Sequence, residues 1–256
     1  MAIGLPGADS ALIVTSRING RTLIDLATDV FGQTPVVWGR YFTSAAVTGT
    51  DEYRPLRENQ ALRTLGIRVM PIARQTKHVD GSEDQGVVDA KDNAEDLIKT
   101  FGADYLRTQG GKFLMFLDVE GAPSMSESYY RGWAKTLVEY SSVFSGGAVT
   151  ILPGVYATQG DDPTWRALEA AAASGVSCEG AWIARWRKRG CAAPLDFDTH
   201  MHLVRPNVSI PCDILVWQYA DECHGGDGFD CNEINPNIDV HAFLQKCVLP
   251  PETLVA

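Results

Sequence analysis

The stretch GKFLMFLDVE, residues 111–120, combines a strand-like apolar run with two acids at its end. Five apolar residues at 113–117 follow one another without interruption, and Asp118 and Glu120 come next, two positions apart. Because helix-like segments flank the stretch, the run is typical of a strand in a parallel sheet that is buried on both faces. The sequence therefore predicts a parallel sheet in which one strand presents two carboxylates at its carboxyl end.

Strand-like runs alternate with helix-like segments on both sides of this stretch. The other predicted strands are 12–17, 34–42, 67–74, 148–157, 180–186 and 213–220. The predicted helices are 19–32, 58–66, 93–111, 126–142 and 161–175, whereas 75–92 has no apolar period. Repeated strand–helix units without a G-x-G-x-x-G or Walker loop favour a (β/α) barrel over a nucleotide-binding open sheet. No linker divides the chain, so we expect a single TIM-barrel-like α/β domain over 1–256, with irregular later strands.

Composition and charge narrow the range of partners. The chain has 256 residues, of which 45% are hydrophobic, and its net charge is −10. Duplex nucleic acid requires a basic footprint, and the basic cluster ARWRKRG at 184–190 is interpreted as a solvated loop. No apolar run reaches the roughly 18 to 20 residues of a membrane helix. We expect no nucleic-acid partner and no membrane span, and we expect a monomer.

No motif indicates a metal or a cofactor. The five histidines do not have the spacing of metal ligands, and the oxygen-rich stretch 224–239 fails the calcium-loop pattern. There is no G-x-S-x-G elbow and no cysteine in the setting of a nucleophile. We therefore expect a protein that needs neither a metal nor a cofactor.

All six cysteines lie in the last third of the chain, and none forms a C-x-x-C pair. An even number of cysteines in a loop-rich region favours disulfides, and hence an oxidising extracellular or periplasmic destination, over scattered thiols. The N-terminus has no basic n-region, which leaves a mature form, another export route or an intracellular location open. We expect at least two disulfides, with Cys223–Cys231 as the first candidate because the short loop between them can close without strain.

Asp118 and Glu120 have the arrangement of a catalytic pair. Side chains alternate across a strand, so the two acids share one face, with Cα atoms roughly 6.6 Å apart. In a barrel the carboxyl ends of the strands carry the chemistry, and two acids this close in an apolar setting cannot both ionise freely. Glycoside hydrolysis needs one acid to protonate the leaving oxygen and another as base, nucleophile or orienting group. The alternative is that D-x-E only marks the end of a strand.

Aromatic and polar residues lie at or near the ends of the later predicted strands. They are Tyr156, Trp182, Arg185, Trp186, Trp217, Gln218 and Tyr219. A sugar needs an apolar face on which to stack and polar groups for its hydroxyls, and this set offers both. The alternative is that the rings fill the layer between the helices and the sheet.

The segments LDVE, GVYA, WIARW and WQYA, followed by NIDVHAF, occur in the order and approximate spacing of the family 25 glycoside hydrolases. Over about 110–244 the chain resembles these lysozyme-like muramidases and a related group of glycoside-hydrolase-like domains. The resemblance implies an irregular (β/α) barrel that cleaves an N-acetylated amino-sugar polymer such as peptidoglycan. It implies Glu120 as general acid, Asp118 as the group that orients the substrate acetamido group, and Asp239 as a further acid of the cleft.

The start of the chain departs from this family's pattern. Its members usually carry an aspartate at the end of the first strand, but the strand predicted at 12–17 has none, because Asp9 precedes it and Asp25 falls in a helix. Either the first strand lies elsewhere or the acid is missing. The second predicted strand ends in Arg40 and Tyr41, which we expect to contact the substrate.

Three functional hypotheses follow. The protein is a muramidase-type enzyme, an enzyme on a different amino-sugar polymer, or a barrel that binds cell-wall carbohydrate without turnover. The intact D-x-E favours an enzyme, and the missing first-strand acid favours the binding module. For an enzyme without that acid we expect substrate-assisted chemistry, in which the acetamido oxygen of the sugar is the nucleophile.

Overall fold

Strands and helices alternate in the computed structural model, which describes residues 3–42, 52–120, 123–226 and 228–252. In chain order the strands are β1 (Pro6–Asp9), β2 (Arg17–Ile18), β3 (Arg21–Thr22), β4 (Val37–Phe42), β5 (Arg68–Arg74), β6 (Lys112–Asp118), β7 (Thr150–Thr158), β8 (Ala181–Arg189), β9 (Ile214–Cys223) and β10 (Phe229–Ile234). The helices are α1 (Leu23–Phe31), α2 (Pro55–Leu65), α3 (Glu83–Phe101), α4 (Ala103–Thr108), α5 (Glu127–Phe144), α6 (Asp162–Ala173), α7 (Phe197–Val204) and α8 (Val240–Gln245). Among these described helices, none has the length and apolar character needed to span a membrane.

Eight of these strands close one barrel, in the order β1-β10-β9-β8-β7-β6-β5-β4. Neighbouring strands are parallel except at β10, which runs antiparallel to both β1 and β9. The register also shifts within the β8–β9 pair and within the β9–β10 pair. The predicted α/β barrel with irregular later strands is therefore confirmed.

The first barrel strand is β1, so the strand predicted at 12–17 is wrong. β1 has the sequence PGAD, which contains no apolar run. Glycine suits this strand because a Cβ at Gly7 would lie only 2.8 Å from Cγ2 of Val37 on β4. The apolar residues after β1 belong to a loop that packs into the core, where Val14 is fully buried. Asp9 is consequently the last residue of the first strand.

Helix α3 occupies much of the stretch 75–92, in which the sequence has no apolar period. Two of its buried residues are polar and are satisfied by side chains of α5. Oη of Tyr129 donates a hydrogen bond to Oδ2 of Asp89 at 2.8 Å, and Nε1 of Trp133 donates to Oδ1 of Asn93 at 3.0 Å. The predicted helix at 93–111 covers the second half of α3. The first half was missed because polar residues occupy positions where the periodicity requires apolar ones.

One end of the barrel is closed by α8 and the residues that follow it. Val69 near the start of β5 pairs with Val248, and the backbone nitrogen of Leu114 on β6 donates to the carbonyl of Lys246. Phe243 of α8 packs into the apolar cluster inside the barrel. Because the parallel strands begin at this closed end, their carboxyl ends surround the opposite end of the barrel.

A disulfide joins Cys191, after β8, to Cys223 at the end of β9. The expected Cys223–Cys231 bond is therefore wrong, and Cys231 is a buried thiol. The Sγ atoms of Cys178 and Cys212 lie 3.0 Å apart as thiols. The described residues include all six cysteines and contain one disulfide, where the clustering predicted at least two.

Candidate active site

Four acids meet inside the end of the barrel at which the parallel strands finish. Asp118 ends β6 and Glu120 follows it, whereas Asp9 ends β1 and pairs in register with Asp230 of β10. β10 brings its first residues to this end because it runs antiparallel to its neighbours. Val119 packs into the outer apolar layer between sheet and helices, so Asp118 and Glu120 both point inward, as the alternation along the strand predicted.

Glu120 is held by a chain of hydrogen bonds that begins on the neighbouring strand β7 and continues to β9 and β8. Oη of Tyr156 on β7 donates to Oε2 of Glu120 at 2.6 Å. Nε2 of Gln218 on β9 donates to Oη of Tyr156 at 2.8 Å, and Oε1 of Gln218 accepts from Nε1 of Trp186 at 2.7 Å. No donor among the described residues reaches Oε1 of Glu120. The chain thus fixes one oxygen of this carboxyl group, and the other is buried without a hydrogen-bond partner among the described residues.

Burial raises the pKa of Glu120 to about 7. The hydrogen bond from Tyr156 opposes this rise, whereas the charges of Asp118 and Asp221 add to it. At neutral pH a carboxyl group with this pKa carries its proton in about half of the molecules. This is the protonation behaviour that a general acid requires.

Asp118 is 5% exposed and lies beside Glu120. Its Oδ1 accepts a hydrogen bond from the backbone nitrogen of Glu120 at 2.9 Å, and its Oδ2 accepts one from Oγ1 of Thr76 at 3.4 Å. Burial raises the pKa of Asp118 to about 6, and these hydrogen bonds together with the charge of Arg74 limit the rise. The pKa of Asp118 therefore lies below that of Glu120.

Asp9 and Asp230 form a second pair of acids. Oδ2 of Asp9 accepts from Nδ2 of Asn232 at 2.6 Å and from Nε2 of Gln218 at 3.1 Å, and the same Gln218 nitrogen lies 3.2 Å from Oδ2 of Asp230. Burial and the charge of Asp230 raise the pKa of Asp9 well above its ordinary value. Burial raises the pKa of Asp230 to about 7. Gln218 joins the two pairs of acids, since its amide also reaches Tyr156.

Trp182 and Gly39 support the acids from inside the barrel. The ring of Trp182 stacks on Tyr156 with centroids 4.4 Å apart, and its Nε1 donates to Oδ1 of Asn232 at 2.9 Å. Trp182 is fully buried, so it positions its neighbours and has no free face for a sugar. A Cβ at position 39 would lie 2.7 Å from Cβ of Asp9 and 2.7 Å from Cη2 of Trp182. Glycine is therefore the residue that leaves room for both.

Tyr41, Arg185 and Trp186 are the predicted site residues that reach the surface around the acids. Trp186 is 43% exposed, and Arg185 beside it on β8 is also exposed. Tyr41 is half-buried and helps to line a cleft of about 170 Å³ with Asp9 and Asp230. A larger cavity of about 510 Å³ lies between α7 and the start of β9, away from these acids.

Arg40 is buried on the outer side of the sheet, so its expected contact with substrate is wrong. Its Nε lies 2.9 Å from Oε2 of Glu58, and both side chains are 0% exposed. Its Nη1 also donates to the carbonyls of Ser10 and Ala11. The guanidinium group therefore fixes the loop that follows Asp9 and is not accessible to a ligand.

Trp217 and Tyr219 also lie outside the barrel, on either side of the inward-pointing Gln218. Nε1 of Trp217 donates to the carbonyl of Arg185 at 2.9 Å, and its ring packs against α7. Oη of Tyr219 donates to the carbonyl of Ala192 at 2.9 Å. Both rings are fully buried, which is the core-packing alternative considered for them.

Asp239 lies at the closed end of the barrel, so its expected place in the cleft is wrong. It is the N-cap of α8, and its Oδ1 accepts a hydrogen bond from the backbone nitrogen of Ala242 at 2.9 Å. The antiparallel direction of β10 explains the error. After β10 the chain emerges at the end where the parallel strands begin.

Sequence reasoning did not identify three residues of the site. Asp9 was missed because its strand is short and has no apolar run, and Asp230 and Asn232 were missed because no strand was predicted after 213–220. The signal on β10 was available, since Asp230 and Asn232 have the same two-residue spacing as Asp118 and Glu120. The turn residues around this stretch concealed it.

Comparison with known proteins identifies the fold. The sequence matches no family model and no curated protein. An uncharacterized protein from B. stearothermophilus is 21% identical with a TM-score of 0.62, covering 95% of this chain and 100% of that one. The catalytic domain of endolysin ply40 from bacteriophage P40 of Listeria monocytogenes is 13% identical with a TM-score of 0.51, covering 96% and 99%. A muramidase from Acremonium alcalophilum is 16% identical with a TM-score of 0.52, covering 94% and 99%.

The chain therefore has the barrel fold found in a muramidase and in an endolysin catalytic domain. This finding supports the fold that the resemblance to family 25 glycoside hydrolases implied.

Proposed function

We propose that the protein is a glycoside hydrolase that cleaves an N-acetylated amino-sugar polymer, with peptidoglycan as the expected substrate and muramidase-type cleavage. The observation that carries the proposal is the state of Glu120. One oxygen is fixed by Tyr156, the other has no donor among the described residues, and burial raises the pKa of the group to about 7. Asp118 beside it supplies the second carboxylate that glycoside hydrolysis requires.

In the proposed mechanism Glu120 donates its proton to the glycosidic oxygen as the bond from C1 to that oxygen breaks. The acetamido oxygen of the same sugar attacks C1 from the opposite face, and Asp118 stabilises the positive charge that develops on the acetamido nitrogen. Water then adds to C1, the bond to the acetamido oxygen breaks, and the proton released by water returns to Glu120. Asp118 suits the orienting role because it is hydrogen-bonded and loses its proton before Glu120 does.

Substrate-assisted chemistry was expected for an enzyme whose first strand lacks an acid. Asp9 ends β1, so that reason for substrate assistance no longer applies. Its Oδ2 is already held by Asn232 and Gln218. We assign Asp9 to hydrogen bonds with substrate hydroxyls, which a carboxyl group with a raised pKa can make in either protonation state. We keep activation of water by ionised Asp9 as the alternative. A de-N-acetylated glycan distinguishes the two roles. Cleavage as fast as that of the acetylated polymer would exclude the acetamido oxygen as nucleophile.

Release of reducing ends from purified peptidoglycan by wild type and by Glu120→Gln tests the proposal. Loss of a general acid lowers turnover by roughly 10² to 10⁴-fold. Glu169→Gln, an exposed change of the same chemistry on α6, is the matched control and should leave turnover unchanged. Equal rates for wild type and Glu120→Gln would contradict the role of Glu120. Mass spectrometry of the products identifies the bond cleaved.

A carbohydrate-binding module without turnover is the second candidate, and it is favoured by the burial of Oε1 of Glu120, which a substrate would have to reach. Binding of wild-type protein to peptidoglycan without release of reducing ends, from this or any other amino-sugar polymer, would support this function in place of hydrolysis.

A further inference from the structure

The basic residues at 185–189 belong to an ordered strand at the edge of the candidate site. They have the sequence RWRKR and form the second half of β8. The sequence suggested a solvated loop, but Lys188 and Arg189 pair in register with Ala220 and Asp221 of β9. We call this five-residue segment, Arg185–Arg189, the basic strand end. It projects beyond the part of β8 that is buried in the barrel wall, and all five residues are exposed.

Several contacts hold the basic strand end in place. Nε1 of Trp186 donates to Gln218, and the carbonyl of Arg185 accepts from Nε1 of Trp217. At its far end the backbone nitrogen of Gly190 donates to the carbonyl of Asp221 at 2.8 Å, and the disulfide of Cys191 follows immediately. A ligand that binds here meets a preorganised surface, which lowers the entropy lost on binding.

A chain of three hydrogen bonds connects the basic strand end to Glu120, the proposed general acid. Trp186 contacts Gln218, which contacts Tyr156, which contacts Glu120, through hydrogen bonds of 2.7, 2.8 and 2.6 Å. A polymer that places one sugar at Glu120 therefore extends past Trp186 or away from it. If the polymer extends past Trp186, its substituents meet the cations of the basic strand end.

The charges of the site and of the basic strand end are opposite. The interior carries Asp9, Asp118, Glu120 and Asp230, and the chain as a whole has a net charge of −10. Arg189 lies 3.8 Å from Asp221, but among the described residues no ion pair involves Arg185, Arg187 or Lys188. Three cations without an ionic partner on an acidic protein fit an anionic ligand, and the acids nearby exclude that anion from the cleavage point itself.

We propose that the basic strand end binds carboxylates carried on the substituents of the amino-sugar polymer, so that the protein selects an anionic glycan over a neutral one of the same sugar type. This inference rests on the proposed function for the identity of the polymer. The charges of the ligand lie on its side groups, beside β8, while the uncharged glycosidic bond lies at Glu120.

The experiment measures binding of wild type and of the triple variant Arg185→Gln/Arg187→Gln/Lys188→Gln to two forms of insoluble peptidoglycan. One form is untreated, and in the other the carboxylates are converted to methylamides with a carbodiimide and methylamine. Arg189 is left in place because it faces Asp221. The control variant Lys99→Gln/Arg107→Gln/Lys112→Gln makes the same change in charge at exposed positions near the closed end of the barrel.

Wild type should bind untreated peptidoglycan about tenfold more tightly than the amidated form, since exposed charge pairs each contribute a small factor. The triple variant should bind the two forms equally, and the control variant should behave as wild type. Raising the salt to about 0.5 M should remove the preference of wild type, because it screens exposed charges. The inference is overturned if the triple variant keeps the preference, or if wild type has none.

Release of reducing ends from untreated peptidoglycan, measured in the same samples, separates this inference from the proposed function. If wild type hydrolyses peptidoglycan but binds the untreated and amidated forms equally, the inference about the basic strand end is overturned and the proposed function stands. A charge-dependent preference without hydrolysis supports the basic strand end and overturns the proposed enzyme.

Discussion

The hydroxyl group of Tyr156 lies 2.6 Å from Oε2 of Glu120 and donates a hydrogen bond to it. This bond stabilises the ionised carboxylate and so works against the burial that raises the pKa of Glu120. Glu120 follows β6 and Tyr156 lies on the adjacent strand β7, so the bond joins neighbouring parts of the wall inside the barrel, at the point where chemistry is proposed.

Tyr156→Phe should raise the pKa of Glu120 further, because the carboxylate loses the donor that favours its charged form. A general acid works while protonated, so the alkaline limb of the pH profile of kcat/KM should move to higher pH. The profile of reducing-end release checks this. Tyr140→Phe removes a similar hydroxyl–carboxylate bond on the surface, to Glu95, and should leave the profile unchanged. A shift to lower pH would contradict the arrangement.

Asp9→Asn should lower turnover by about 10²-fold, the usual effect of removing one preorganised electrostatic contact to a transition state. The asparagine retains an oxygen that can accept from Asn232, so the barrel should stay folded. Steady-state hydrolysis measures the effect, and Asp25→Asn on α1 is the control. Wild-type turnover in Asp9→Asn would show that the first-strand acid has no part in the reaction.

Arg40→Gln should destabilise the protein by about 3 to 5 kcal/mol, because Glu58 would remain as a buried charge without its partner. Urea unfolding measures the loss. Arg21→Gln breaks the exposed pair between Arg21 and Asp29 and should cost no more than about 1 kcal/mol. If the two variants were equally stable, Arg40 would not have the structural role that its burial indicates.

The free energy of unfolding should fall as pH rises from about 4.5 to about 7, in part because of Glu120. The pKa of Glu120 in the folded protein, about 7, lies above its ordinary value of 4.5. Between these two pH values the unfolded chain ionises Glu120 more readily than the folded protein does, so the free energy of unfolding falls, and the fall is complete above about pH 7. Glu120→Gln removes the charge and should be more stable than wild type at pH 8, on the order of 2 kcal/mol. Urea unfolding at pH 4 and pH 8 tests this, with Glu169→Gln as control. A variant no more stable than wild type at pH 8 would contradict it.

Cys178 and Cys212 should form a second disulfide when oxidised glutathione is supplied. Their Sγ atoms lie 3.0 Å apart, and the exchange consumes one oxidised glutathione and releases two reduced molecules. Mass spectrometry of peptides before and after oxidation identifies the bond. Cys178→Ser should abolish it, and Cys247→Ser, at a buried thiol, should not. Free Cys178 and Cys212 after oxidation would contradict the expectation.

The sequence predicted those parts of the fold that follow from one local pattern, such as an apolar run or the alternation of side chains along a strand. The apolar run at 113–117 and the alternation after it predicted that Asp118 and Glu120 share one face of a barrel strand, and in the structure that face is the inner one. Trp217 and Tyr219 were misplaced because an aromatic residue suits either face, and only the register of β9 decides which face it takes. Gln218, between them, was placed among the site residues, and in the structure it is the one that points inward.

Two errors came from features that have little local signal. β1 is a four-residue strand in which glycine allows close packing, so its apolar content does not distinguish it from a loop. Asp239 follows β10, and its distance from the cleft depends on the antiparallel direction of that strand, which no residue near Asp239 encodes.

The pairing of β1 with β10 also determines when the site can exist during synthesis. Asp9 and its hydrogen-bond partner Asn232 are separated by 223 positions in the chain. A ribosome must therefore have made the chain as far as β10 before the first acid of the site meets the amide that holds it. An unfinished chain or a fragment that ends before β10 lacks both the closed wall and Asp230, one of the four acids. The proposed cleavage of a wall polymer is therefore confined to molecules whose synthesis has passed β10.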